Sequence, residues 1–243
     1  MSSAAAGVIF GYAGCCLATH VAATFVLQPT VFVGLSKLKP DDIKSLHLRL
    51  IGALNSILIF IGSAMWFFPR MSIAEHGILL VPVDNNEFLD PLQVVCAQAM
   101  VGFMLYDSFA DVYVNGFTID MVLHHILGGI SWGTGLFTGR GGLWMMWSML
   151  AEGSTPFLHI GWLLHKMGNK GLLFKVNGYT LVLTFTLLRA VSPALIFYSM
   201  FSHSDKWVGY EAALYLQLVI CAAFALLNWF WWAKLLQMAA GGE

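Results

Sequence analysis

The sequence predicts an all-α, polytopic transmembrane helical bundle, and three observations carry that prediction. Of 243 residues, 58% are hydrophobic and only 10% are charged, a balance far from that of soluble globular domains. Apolar runs of the roughly 20 residues needed to cross a bilayer recur from one end of the chain to the other. The runs are continuous rather than alternating, so backbone groups that lipid cannot satisfy must be paired within helices rather than in a closed barrel. No stretch between them is long enough for a soluble domain, and residues 1–243 read as a single transmembrane domain.

Seven spans are expected, at residues 8–27, 48–68, 92–115, 121–137, 143–165, 176–200 and 210–236, each bounded by proline, glycine or charge. The first follows a short uncharged MSSAAAG, which lacks both the basic region of a signal peptide and the arginines of a transit peptide, so this span is expected to be retained. The fourth is short and begins with polar residues, which suits a helix that lines a cavity or starts below the membrane surface. The fifth carries Pro156, which leaves the Glu152 carbonyl without its usual helical donor and predicts a kink there.

Basic residues set the expected orientation. Lys37, Lys39, Lys44, Arg49, Lys166, Lys170, Lys175 and Lys234 fall on one side, against Arg70, Arg140 and Lys206 on the other. The positive-inside rule puts the C-terminus on the cytosolic or matrix-equivalent side and the N-terminus opposite. The longest loop, residues 69–91, holds Glu75, Asp84, Glu87 and Asp90 and falls on the translocated side. Cys15, Cys16, Cys96 and Cys221 lie within apolar runs without pairing or metal spacing and read as buried free thiols. The net charge is −1 and no basic run is long enough for nucleic acid, which excludes that class of partner.

Ionisable groups at membrane depth are costly and therefore informative. Counted from the predicted cytosolic ends at about 1.5 Å per residue, Glu152 in the fifth span and Arg189 in the sixth reach a common depth, which predicts a structural ion pair. A shallower layer holds His124, His125, His159, Asp107 and Asp111. Asp107 and Asp111, at i and i+4, share a helix face beside Tyr106. The adjacent histidines point about 100° apart, so one can face a cavity while the other bonds a neighbouring helix. Imidazole in this layer can serve as a general base, as an acyl-accepting nucleophile or as half of a metal site, or simply pack helices. The doublet with scattered aspartates lacks the spacing of a metal site, so no metal is expected. His20, His47, His76, His165 and His203 sit near loops or span ends and read as interfacial. FWW at 230–232 and LWMMW at 143–147 read as interfacial anchors or partner-facing surfaces.

From about residue 46 to 236 the chain resembles the TLC-domain family, which includes the ceramide synthases and the translocon-associated TRAM proteins. The resemblance rests on YD at 106–107, MVLHHILG at 121–128, LAEGSTPFLHIGWLL at 150–164 and VNGYTLVLTFTLLRA at 176–190. The E-x-S-S/T-P-F pattern is closest to a small TLC-domain branch, and the downstream acidic motif of ceramide synthases is absent, Leu150, Ala151, Glu152 and Thr155 standing in its place. The family implies six core helices around a lipid-sized cavity with one extra helix at an end. It also implies a site at His124 and His125 and an endoplasmic reticulum location; if the protein is active, Asp107 or Asp111 is expected to orient the imidazole.

Two functions are therefore expected in parallel. One is the binding of lipid acyl chains, with acyl transfer from acyl-CoA as the associated chemistry, no resident cofactor, and Tyr106, His159 and Trp132 as lipid-contacting residues. The other is a non-catalytic scaffold with membrane-protein partners, for example in a mitochondrial inner-membrane complex. A transporter has less support, because no pair of broken helices in inverted repeats is evident. The cavity is expected between the third, fourth and fifth spans, with His125 beside the chain.

Overall fold

The computed structural model describes residues 3–26, 37–70 and 88–241, and among these every regular element is helical. The expectations for Glu75, His76, Asp84 and Glu87 lie outside the described residues. α1 spans Ser3–Val26, α2 Pro40–Phe67, α3 Pro91–Asn115 and α4 Ile119–Thr138. α5 (Gly142–Met149) and α6 (Thr155–Lys166) form one crossing interrupted by a 3-10 segment at Leu150–Ser154. α7 (Leu172–Phe185) and α8 (Ser192–Ser202) form another, joined by a π-helical segment at Thr186–Val191, and α9 (Glu211–Ala239) closes the bundle.

Among the described residues, five stretches are long and apolar enough to cross a membrane: Ala5–Phe25, Pro40–Arg70, Pro91–Asn115, Leu172–Ser202 and Glu211–Ala239. The two other expected spans are present as helices of lower apparent quality. α4 has 20 residues but carries Asp120, two histidines and several glycines, and the fifth span is split into runs of 8, 5 and 12 residues. The second helix begins well before the expected residue 48, because Pro40 at its first turn and Asp41 and Asp42 beside it favour a helix N-terminus outside the apolar stretch.

Hydrogen bonds between helix ends show that consecutive crossings alternate in direction. On one face Ser45 Oγ donates to Asn115 at 2.8 Å, Lys166 Nζ meets Asp42 at 2.7 Å, and Trp231 Nε1 donates to Asp120 at 3.0 Å. The ends of α2, α3, α4, α6 and α9 therefore share that face. On the other, Trp66 donates its indole N–H to Asp90, Arg70 lies 3.8 Å from the same carboxylate, and Arg140 sits against Phe88 and Tyr210.

The outside of the bundle is apolar and the inside is mixed. Phe10, Phe25, Leu58, Met65, Phe109, Phe137, Val219 and Leu226 point outward, a surface far too extensive for a monomer in water and suited to lipid tails. Asn55, Ser56, Gln93, Asn177, Gln217 and Asn228 are buried within. Because lipid tails are as apolar as leucine, cohesion must come from close packing and from interhelical polar contacts such as those of Asn55, Ser56, Asn177 and Gln217. Gly102 illustrates the first: a Cβ there would lie 2.6 Å from the Ile9 carbonyl oxygen, so the glycine lets α1 lie directly on α3. The four cysteines are free, but Cys15 is exposed on the outer side of α1 and Cys221 is half-buried. Only Cys16 and Cys96 are buried as expected.

Candidate functional site

Both helices that carry the deep charges depart from α geometry at those charges. Pro156 follows Glu152 by four residues, and Pro193 follows Arg189 by the same interval. Each proline removes the amide that the charged residue's carbonyl would accept from in an α-helix. The Glu152 carbonyl instead accepts from the Thr155 amide within the 3-10 turn, and the residues around Arg189 widen into the π segment. Such interruptions recur where a helix is shaped around a functional or packing need. The fifth span is thus interrupted where Pro156 predicted a kink, and the sixth is broken beside it, which the sequence reading did not anticipate; Pro193 was the available signal.

Glu152 and Arg189 meet at this double interruption. Arg189 Nη2 lies 3.1 Å from Glu152 Oε1 and donates also to Thr155 Oγ1 at 2.9 Å. Its Nε donates to Ser154 Oγ and the Ala151 carbonyl. Ser56 of α2 donates to the second Glu152 oxygen at 2.7 Å. With both side chains about nine-tenths buried, the charges are compensated by each other and by a ring of hydroxyls, which is the condition under which such a pair is tolerated at membrane depth.

The histidine doublet divides across α4. His125 is buried and its Nε2 lies 3.0 Å from Asp107 Oδ2 on α3. His124 turns the other way, with its ring 5.4 Å from both Phe224 and Trp231 of α9 and its Nδ1 buried without a hydrogen-bond partner. The rest of the expected layer also separates. Asp111 accepts from Asn115 near the end of α3. Tyr106 hydrogen-bonds His20 of α1 at 2.7 Å. His159 lies against Gly52, its Nδ1 accepting from Arg49 at 3.4 Å. Arg49, counted from sequence as a loop charge, has its guanidinium 4.5 Å over the Trp162 ring and its stem in the bundle.

A cavity lies on the His124 side of α4. It is walled by α4, α5 and its 3-10 extension, the π segment, α8 and α9, and holds about 830 Å³ of non-atom space, including what is open to the surroundings. Trp132, Leu188, Ile196, Ile220 and Phe224 contribute to an apolar wall, and His124, Gln217, Asn228, the Glu152–Arg189 pair and Arg140 interrupt it. Trp132 is held by its indole N–H to Ser148 at 3.1 Å, and Ser131 and Gln217 bond each other at 2.7 Å. No residue of α3 lines the cavity, nor do His125, Tyr106 or His159. This cavity therefore lies across α4 from the position expected between the third, fourth and fifth spans. At Gly128, α4 is in packing contact with α3, a Cβ there lying 3.5 Å from Met104 Sδ. Gln217 and Asn228 were missed by sequence reasoning. Their signal was two amides eleven residues apart, about three turns and hence one face, in an otherwise apolar helix.

A family model of the TLC domain matches residues 56–237. The chain belongs to the TLC-domain family. Among curated proteins none matches it. The TLC match begins within α2 and leaves α1 outside, so α1 is the additional terminal helix, and all the cavity-lining residues fall within the TLC domain.

The chemistry open to this TLC-domain protein follows from the division at α4. General base catalysis by histidine works best when a carboxylate orients the imidazole that faces substrate. Here the oriented imidazole, His125, faces α3, and the imidazole that faces the cavity, His124, has no carboxylate on it.

Proposed function

We propose that this TLC-domain membrane protein binds a lipid acyl chain in the cavity between α4, α5, α8 and α9. The observation that carries the reading is a largely apolar wall around a cavity inside the bundle. Trp132, Leu188, Ile196, Ile220 and Phe224 surround space rather than each other. A hydrocarbon chain would fill that space with dispersion contacts that an empty cavity forfeits. The separation of Asp107–His125 from the cavity favours lipid holding over acyl transfer at the histidine doublet, with acyl-CoA then not a substrate. The same feature suits a lipid-filled scaffold subunit bound to other membrane proteins, the second reading. On the cation bias we place the C-terminus on the cytosolic or matrix-equivalent side, with the endoplasmic reticulum as the first location and the mitochondrial inner membrane as the alternative.

Native mass spectrometry of protein purified from membranes tests the binding. The wild type should retain about one acyl lipid through detergent exchange, and Ile196→Trp, which places an indole in the cavity, should lose it while keeping its thermal midpoint. A wild type that carries no lipid, or equal retention by both proteins, would sink the reading.

A further inference from the structure

Which end of the cavity takes a lipid head is decided by its charges. Glu152 and Arg189 satisfy each other, which leaves Arg140 as the remaining charged side chain on the cavity wall among the described residues. Arg140 stands in the α4–α5 turn between Gly139 and Gly141, at φ 70° and 80°. The left-handed backbone at both glycines folds the turn tightly and holds the arginine at the cavity's edge. Its guanidinium lies 5.4 Å from the Phe88 ring and 5.3 Å from the Tyr210 ring. Those rings attract the cation without accepting its N–H groups as a carboxylate or phosphate would. Among the described residues no carboxylate comes within 4.0 Å of it, and its Nε is buried without a hydrogen-bond partner.

A second donor stands beside it. Trp207 is almost fully buried, stacks on Trp144 at 5.6 Å, lines the cavity, and has no partner for its indole N–H. A Cβ on Gly141 would lie 3.0 Å from the Trp207 ring, which places that ring directly against the turn holding Arg140. Buried donors without acceptors are costly, and these two converge on one end of one cavity. The far end, sixteen residues back along α4 and thus about 24 Å away, is lined by His124 and Asn228, each with an unsatisfied buried atom, and carries no charge beyond the compensated pair.

We propose that the occupant is a single-chain amphiphile with an anionic head, a carboxylate or a phosphate monoester, seated with its head on Arg140 and Trp207 and its tail running along α4 toward His124. This rests on the acyl-chain reading of the cavity and adds its polarity. The head lies at the end remote from the histidine doublet, so a ligand of this kind enters from the face that holds Asp90 and Arg70.

Binding of hexadecanoate, hexadecanol and palmitoyl-lysophosphatidate to the full-length protein in a nonionic detergent, followed by tryptophan fluorescence, tests the proposal. At least one of the two anions should bind about tenfold more tightly than hexadecanol, the scale of one charge-assisted contact. The tighter of the two identifies the head. Arg140→Gln should abolish that preference without weakening hexadecanol, and Arg140→Lys should retain most of it. Ile196→Trp should weaken all three ligands. Equal binding of hexadecanol and both anions, unchanged in Arg140→Gln, overturns the anionic head and leaves the acyl-chain cavity standing. Failure of every ligand to bind overturns both.

Discussion

Arg189→Leu is expected to destabilise the protein by about 3–5 kcal/mol, because it strands the Glu152 carboxylate among buried groups. Glu152 keeps Ser56 and Thr155 as donors, but two hydroxyls do not replace a guanidinium at membrane depth. The double variant Glu152→Gln with Arg189→Leu should recover most of that loss, since it removes both charges together and leaves an amide that the same hydroxyls can bond. Unfolding midpoints in detergent for the two single variants and the double give the coupling directly. Additive losses, with no recovery in the double, would mean that the two side chains act independently and that the interruption of both helices has another cause.

The second large effect separates two adjacent residues of the same type. His125→Ala should cost about 2–4 kcal/mol, because it leaves the Asp107 carboxylate buried between α3 and α4 without its donor. His124→Leu should change stability by less than about 1 kcal/mol, because His124 faces the cavity with an unsatisfied Nδ1 and makes its contacts through the ring against Phe224 and Trp231. The same substitution should change the affinity for acyl ligands, which His125→Asn, if it folds, should leave unaltered. Equal destabilisation by His125→Ala and His124→Leu would contradict the division of the doublet across α4. A sequence motif treated as one site would then be one site after all.

The doublet also shows what was legible beforehand. That neighbouring histidines on a helix must diverge follows from 3.6 residues per turn. Which one faces a cavity depends on what the other helices present, and Asp107 on α3 and Phe224 and Trp231 on α9 decide it from more than a dozen residues away in sequence. Helix identity was legible because bilayer thickness imposes span length on the apolar runs. The ends were less so: hydropathy does not register the polar first turn of α2, where proline and two aspartates continue the helix.

Depth counting brought Glu152 and Arg189 to the same level, where they lie 3.1 Å apart. It could not show that Pro156 and Pro193, each four residues on, reshape both helices at that level. The same count grouped Asp107, Asp111, His125 and His159 by height alone, and height does not specify azimuth: His159 is turned toward α2 and Asp111 toward the end of its own helix. Arg140 was counted only as a loop cation for orientation. Its role depends on the glycine turn and on Phe88, Trp207 and Tyr210, which come from two separate parts of the chain.

The most direct test of the lipid cavity is an experimental density map of the protein purified from its membrane without added lipid. The account predicts elongated density of acyl length between Trp132 and Ile196, separated from His125 by α4 itself. A map in which those side chains collapse onto each other, or in which acyl density lies between α3 and α4 beside His125 and Asp107, would contradict it.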